Sequence, residues 1–396
     1  MRIGIDLLWV RVGVCGGTES FIRNLLDGFW QYDRVNEYVL FVSRDNEESF
    51  RGYGRSGGGD LRLCVCPVDS ASQPRRILWV NLCLARWARR RQVDIMFIPV
   101  YSMPWTWGSR IPYVCVIHDL QAMHYPQYFS LPRRMFLRYE WGHACRRGYR
   151  ILTDSEFCRR DLQRHYPRAR DRIQVMYVPI PGGKKDEGAD MAAKACDAQA
   201  GSSGEIRPRI RDLAGQEYDY CVSSLLPHKN LDTLLRTLER MCRQGVWGQR
   251  LLVISGVGGD VRQLEEKLEQ YGIVRQVVLT GFVSDTERDY LYEHCRLFLF
   301  PSIFEGFGMP PIEAMRRGKR VVMTRCSSLE EITRGRGVYV DEPYDPAQWQ
   351  ERIQQAGELS PQREDFPEYE PESIVRQYQQ LWKNVAQDRL KVASER

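Results

Sequence analysis

The sequence predicts an α/β protein made of two Rossmann-like domains with parallel sheets, and three observations carry that prediction. The chain has 396 residues, more than one doubly wound domain needs and enough for two of roughly 180 residues, each with its own core. Short apolar or β-branched runs alternate with longer amphipathic stretches, the order that builds strand, crossover helix and parallel strand. The alternation stops once, over a polar segment near the middle, and then resumes.

In the first series the expected strands cover 1–7, 38–43, 61–66, 94–99, 113–118, 151–154 and 173–178, with helices over 18–32, 74–91 and 155–166. From Pro181 to about Pro208 the chain is polar and carries Gly201-Ser202-Ser203-Gly204, which reads as a linker or mobile loop. The second series gives strands over 220–225, 251–255, 277–280, 297–301 and 320–323, and helices over 231–243, 261–271, 286–294 and 310–317. A last amphipathic helix near 372–387 is expected to pack back on the first domain. The expected division is therefore 1–182, a linker over 183–208, 209–370, and a terminal helix over 371–396. Two such domains facing each other leave a central cleft, and ligands of parallel sheets bind at the carboxyl ends of strands. The loops that follow strands are thus the ones to read for function.

Composition narrows the class. An apolar fraction of 43% with ordinary Gly and Pro usage describes a globular chain rather than a disordered or fibrous one. No run of 18 apolar residues is present to span a bilayer, and the opening residues read as a strand rather than a signal peptide, so a cytoplasmic location is expected. The twelve cysteines are scattered without zinc spacing and read as reduced thiols, and no metal site is expected. Charge is uneven: residues 1–182 hold 27 arginines, no lysine and 17 acids, whereas the remainder is net acidic. That asymmetry points either to an anionic partner or to an arginine-rich solvated face.

The segment with most chemistry follows the buried run Leu297-Phe298-Leu299-Phe300. It reads Glu305-Gly306-Phe307-Gly308-Met309-Pro310-Pro311-Ile312-Glu313. Tandem prolines suit a first helical turn, and Gly318 is placed to end the short helix. A glycine loop opening onto a helix N-terminus offers backbone amides and a positive dipole end to phosphate or sugar oxygens. Glu305 and Glu313 both fall beside that loop, where carboxylates accept hydrogen bonds from sugar and ribose hydroxyls; alone, Glu313 would be a carboxylate that favours the dipole. After the expected strand at 220–225 comes Pro227-His228-Lys229-Asn230, with Asn230 placed as an N-cap and Lys229 as a point charge for a diphosphate.

Together these segments resemble retaining glycosyltransferases of family 4, which have the GT-B fold, and the resemblance covers nearly the whole chain. It is nearest to mannosyltransferase-like members that build bacterial surface polysaccharide. It implies that Glu305 lies by the donor sugar, that Gly306, Phe307 and Gly308 contact sugar hydroxyls and phosphate, that Glu313 binds the ribose, and that Lys229 and Asn230 serve the leaving diphosphate. Where the family commonly has an arginine, this chain has Ser224. In the first half, Gly16, Gly17 and Thr18 match the loop that approaches the donor phosphate. His118 matches the histidine aimed at the donor sugar, with Asp119 beside it, and Val283 falls in the turn whose backbone reads the nucleobase. Ser155 matches a family position and equally suits an N-cap.

The implied reaction is transfer of a hexose, mannose favoured, from a nucleotide diphosphate sugar to a glycan or lipid-linked acceptor with retained configuration. The implied donor is GDP-mannose, with a UDP-sugar second, and no cofactor or metal is needed. The first domain would take the acceptor and 209–370 the nucleotide sugar. The basic helix over 74–91 has an apolar and a cationic side, which suits an anionic membrane surface, and no nucleic-acid partner is expected. Two alternatives share the fold: a nucleotide-sugar epimerase and a non-catalytic sugar-nucleotide-binding subunit. A dinucleotide dehydrogenase is disfavoured because no G-x-G-x-x-G follows the first strand.

Overall fold

The computed structural model describes residues 1–14, 16–54, 60–105, 110–182 and 206–394. These fall into two compact units, one drawn from Met1–Cys196 with Pro367–Arg396 and the other from Asp197–Phe366. The linker expected over 183–208 lies outside the described residues up to 205; Pro208 then opens the short helix Pro208–Arg211.

Among the described residues the first unit holds a seven-stranded sheet. Its strands are Arg2–Asp6 (β1), Glu37–Val42 (β2), Asp60–Val65 (β3), Ile95–Ile98 (β4), Tyr113–Val116 (β5), Arg150–Thr153 (β6) and Ile173–Val175 (β7), in the order β3-β2-β1-β4-β5-β6-β7. Every pairing is parallel. β4 and β5 are buried along their whole length because helices cover both faces of a parallel sheet. The order reverses between β1 and β4, which makes the carboxyl ends of those strands a topological switch point.

The terminal helix Pro371–Ser394 belongs to this unit. It packs on Gly17–Tyr32, where Phe29 meets Tyr378 edge-on at 5.4 Å, and Phe97 of β4 meets both Tyr378 and Trp382 at 5.6 Å. Arg150 adds an ion pair to Asp388 at 2.7 Å.

The second unit's described residues form a six-stranded parallel sheet: Tyr218–Val222 (β8), Leu251–Ser255 (β9), Val277–Gly281 (β10), Leu297–Phe300 (β11), Arg320–Thr324 (β12) and Val338–Val340 (β13), ordered β10-β9-β8-β11-β12-β13. Here the switch point lies between β8 and β11. The helix Met309–Arg316 carries its prolines in the first turn. It ends in a Schellman turn, in which the Gly318 amide donates to the Met315 carbonyl and the Lys319 amide to the Ala314 carbonyl, both at 3.0 Å, with Gly318 at φ +77°. Among the longer helices Leu131–Arg147 in the first unit and Pro346–Glu358 in the second have no counterpart in the sequence reading, and neither has strand β13.

Candidate active site

In the second unit the loops after β8 and β11 meet at the switch point. The backbone joins them first: the Ile303 amide donates to the His228 carbonyl at 2.8 Å. His228 is buried, and burial together with the Lys229 charge pushes its imidazole down to about 4, so the ring is neutral. The side chains then close the contact, with Lys229 Nζ donating to Glu305 Oε1 at 2.6 Å. Both groups are mostly shielded, at 22% and 15% exposure, so the pair is weakly screened by solvent.

The conformation of the glycine loop is set from behind by two serines after β12. The Glu305 amide donates to Ser327 Oγ at 2.9 Å, and Ser328 Oγ lies 3.0 Å from the Glu305 carbonyl and 2.8 Å from that of Phe307. Gly308 has φ +101°, and a Cβ there would lie 2.7 Å from Leu329, so the turn into the helix requires glycine. Gly306 and Phe307 are buried, the latter 5% exposed, which leaves backbone rather than the Phe307 ring for a ligand.

Glu313 is the fifth residue of its helix. Its Oε2 accepts from the Tyr292 hydroxyl at 3.0 Å and lies 3.8 Å from Arg288 Nε. Burial works against the Arg288 charge, but the Glu313 and Asp285 carboxylates outweigh it and keep the guanidinium protonated.

Asn230 corrects the sequence reading. It occupies the N-cap position of Leu231–Arg243, but in the left-handed region at φ 51° and with no side-chain capping bond. Its amide group instead donates to the Pro343 carbonyl at 2.8 Å and its oxygen accepts from Thr233 at 2.7 Å. The side chain ties the loop to a neighbouring segment, which cannot be done while it caps the helix. Ser224 has a buried hydroxyl without a hydrogen-bond partner among the described residues. Val283 is half-buried between the exposed Phe282 and Ser284, and Ser284 forms a capping box with Glu287 on Asp285–His294.

In the first unit, Gly16 caps helix Gly17–Tyr32 at φ 56° and, with Gly17, is exposed. Thr18 lines a cavity of about 480 Å³. His118 follows β5 and has both ring nitrogens engaged, Nδ1 with Asp154 Oδ2 at 2.7 Å and Nε2 with the Pro99 carbonyl at 3.0 Å. Burial pulls its pKa down, but Asp154 outweighs this and raises it, and two acceptors suit a doubly protonated ring. Asp119 accepts from the Gln121 amide at 2.9 Å. Ser155 is an N-cap, its Oγ accepting from the Cys158 amide at 3.2 Å.

The sequence reading missed Ser327, Ser328, Tyr292 and Arg288. The serines left one faint signal: a polar pair just past the apolar run of β12, at a strand's carboxyl end. Tyr292 and Arg288 left none, since their helix carries no motif.

Two parallel-sheet units of this topology are the GT-B architecture of glycosyltransferases. The chain resembles a crystal structure of Anabaena Alr3699/HepE in complex with UDP and glucose, at TM-score 0.63 and 17% identity over 97% of this chain and 100% of that one. It also resembles WaaG, a glycosyltransferase involved in lipopolysaccharide biosynthesis, at TM-score 0.61 and 18% identity over 97% and 94% of the two chains. At such identity the likeness carries the fold alone.

The family follows from the sequence models. Glycosyltransferase Family 4 matches residues 15–181 and Glycosyl transferases group 1 matches 204–373, and the chain belongs to this glycosyltransferase family. Among curated relatives, O-antigen chain mannosyltransferase B of Escherichia coli is 29% identical over 234 residues, 58% of this chain and 57% of that protein. O-antigen chain mannosyltransferase RfbU of Salmonella typhimurium is 23% identical over 61% of this chain and 60% of its own. The serotype-specific mannosyltransferase WbdA of Escherichia coli is 28% identical over 59% of this chain but only 27% of its own length. The chain therefore matches little more than half of the first of these relatives and about a quarter of the last.

Proposed function

We propose that the chain transfers mannose from GDP-mannose to a glycan or lipid-linked acceptor in bacterial surface-polysaccharide synthesis, with retention of anomeric configuration. The observation that carries the reading is the Lys229–Glu305 contact at the switch point of the second sheet, beside the N-terminus of Met309–Arg316. A cation and an oriented helix end at one strand terminus suit a departing diphosphate, and a neighbouring carboxylate suits sugar hydroxyls. The sugar assignment is supported by the mannosyltransferase names of several relatives. A UDP-sugar is the competing donor, in keeping with the UDP bound by the Anabaena protein.

In this mechanism the bond from the sugar C1 to the phosphate oxygen breaks as the acceptor oxygen approaches from the same face. The acceptor proton passes to the departing phosphate oxygen, whose charge Lys229 offsets. Glu305 and the amides of Gly306, Phe307 and Gly308 hold the sugar, Glu313 holds the ribose, and the Val283 backbone faces the base. In the first unit, the family resemblance assigns Gly16, Gly17 and Thr18 to the donor phosphate, and His118, held by Asp154, to the donor sugar with Asp119 beside it.

A peripheral position on the cytoplasmic face of a membrane is supported by the helical stretch 73–90. Leu78 and Leu82, one turn apart, are 58% and 64% exposed, and Arg75, Arg86, Arg89 and Arg90 are exposed around them.

The test is a screen of the purified chain against GDP-, UDP- and ADP-sugars by thermal shift and slow donor hydrolysis, followed by NMR of the product's anomeric configuration. Stabilisation by GDP-mannose and an α-linked product from the α-linked donor are expected. Response to UDP-sugars alone would reassign the donor, and no response to any of them would remove the transferase reading.

A further inference from the structure

Glu313 carries two carboxylate oxygens, and the second unit treats them differently. Oε2 accepts from the Tyr292 hydroxyl at 3.0 Å and faces Arg288 Nε at 3.8 Å, whereas Oε1 has no hydrogen bond or ion pair among the described residues. The side chain is 15% exposed, so the carboxylate is shielded from bulk water yet still accessible. A shielded carboxylate oxygen that finds no protein partner is the one left for a ligand hydroxyl.

The residues that hold Oε2 are themselves fixed. Tyr292, on helix Asp285–His294, is fully buried. Its ring meets Tyr220 of β8 edge-on and Phe298 of β11 at a tilt, both at 5.2 Å. Behind it, the Tyr220 hydroxyl is bonded to Ser255 Oγ at 2.6 Å. The Arg317 guanidinium lies 5.3 Å from the Tyr292 ring centre and is held there by Asp289 at 2.6 Å. Burial, and then the Glu313 charge, push the Tyr292 hydroxyl well above its ordinary range, so it stays protonated and donates. Its single proton has two acceptors within reach, Glu313 at 3.0 Å and the Pro310 carbonyl at 3.4 Å, and the shorter contact to the charged oxygen takes it. Arg288 stands one turn earlier on the same helix. Its Nη1 pairs with Asp285 at 2.9 Å, which fixes the guanidinium beside Oε2.

An unconstrained carboxylate grips a vicinal diol with both oxygens, one hydroxyl on each. Here Oε2 is already committed to a phenol and a guanidinium, so the two-oxygen grip is closed. We propose that Tyr292 and Arg288 are positioning residues that turn Glu313 so that Oε1 alone meets the ribose, and that the chain therefore reads one of the two ribose hydroxyls and passes over the other. The inference rests on the transferase reading above, in which Glu313 holds the ribose, and it names the residues that set what that carboxylate can distinguish. A site that bonds one hydroxyl rejects an analogue lacking it, because the buried acceptor is left unpaired, while loss of the other hydroxyl goes unnoticed.

Calorimetry on the full chain tests it, with GDP, 2′-deoxy-GDP and 3′-deoxy-GDP as probes, or with UDP and its two deoxy forms where UDP binds tighter. In the wild type one deoxy form should bind roughly tenfold or more weaker than the parent, the loss of a hydrogen bond to a charged group, and the other within about threefold of it. Tyr292→Phe keeps the ring and frees the carboxylate to turn, so the two deoxy forms should then bind within about threefold of each other. Arg288→Gln should narrow the difference in the same direction. A merely structural role would weaken all three ligands alike and leave the ratio between the deoxy forms where it was. Equal binding of the two deoxy forms by the wild type, or an unchanged ratio in the folded variants, overturns the proposal. If Tyr292→Phe does not fold, the partly exposed Arg288 carries the comparison. The two failures separate on the wild type: nucleotide binding without discrimination between the deoxy forms removes only this inference, whereas absence of binding by both GDP and UDP removes the reading beneath it.

Discussion

Lys229 and Glu305 stand 76 positions apart in sequence, yet their side chains meet at 2.6 Å on the carboxyl ends of the adjacent strands β8 and β11. The contact fixes a cation and a carboxylate at one point before any ligand is considered. A pair so shielded is costly to break from one side, because the remaining charge loses its partner. A ligand that presents a phosphate to Lys229 and hydroxyls to Glu305 replaces both halves at once, which is the chemistry of a sugar joined to a diphosphate.

Removing the carboxylate should stop transfer without unfolding the unit. Glu305→Ala is expected to lower turnover by at least about 100-fold, while the variant stays folded, with a melting temperature lowered by the loss of the Lys229 contact. Initial-rate assays with a matched thermal melt check both parts, and full activity in the variant contradicts the assigned role.

Ser328 should matter for geometry rather than chemistry. It is fully buried, and its hydroxyl lies against the carbonyls of Glu305 and Phe307. Ser328→Ala leaves those carbonyls without that donor, a cost of about 1–3 kcal/mol in denaturant titrations. Because the loop that positions the donor is then less defined, KM for the donor should rise more than kcat falls. A variant of wild-type stability and kinetics would show that the serine does not set the loop.

The His118–Asp154 pair gives the first unit a definite pH response. Burial lowers the His118 pKa but Asp154 raises it further, so the folded value lies above the unfolded 6.5. Stability from the pair is then fully present below the unfolded value and lost as pH rises through the folded one. Asp154→Asn should therefore destabilise most on the acidic side of 6.5, with the gap to the wild type closing as pH rises. Denaturation at several pH values, with an NMR titration of the ring, reads it directly; a gap that widens toward alkaline pH would reverse the assignment.

The terminal helix should be a structural part of the first unit. Trp382 is fully buried against Phe97 and Tyr378. Trp382→Ala is expected to cost about 3–5 kcal/mol in chemical denaturation. A loss below 1 kcal/mol would mean that the helix contributes little to that core.

Much of this was legible in the sequence, and the exceptions have physical causes. Strands such as Leu297–Phe300 announce themselves because a central parallel strand is buried on both faces, so its apolar run is unbroken. Helix Leu231–Arg243 was equally plain, with its apolar residues gathered on one side. Leu131–Arg147 was not, because its apolar and charged residues are spread round the helix and leave no stripe to read. β13 is three residues long and too short for periodicity. At the candidate site, Glu305, Glu313 and Lys229 were singled out by local spacing and the family resemblance, whereas the residues they touch come from other elements: Ser328 left only a faint signal, and Tyr292 and Arg288 none. Asn230 holds the expected N-cap position, and the bond that draws its side chain away from capping was hidden for the same reason, since the Pro343 carbonyl lies 113 positions away.

The most direct test of the central claim is the affinity of the chain for GDP and GDP-mannose before and after Lys229→Met. The account expects both ligands to weaken by roughly tenfold or more, the loss of a charge-assisted phosphate contact, in a variant that remains folded. Unchanged affinity for both in the folded variant would contradict it, because Lys229 would then stand outside the diphosphate site.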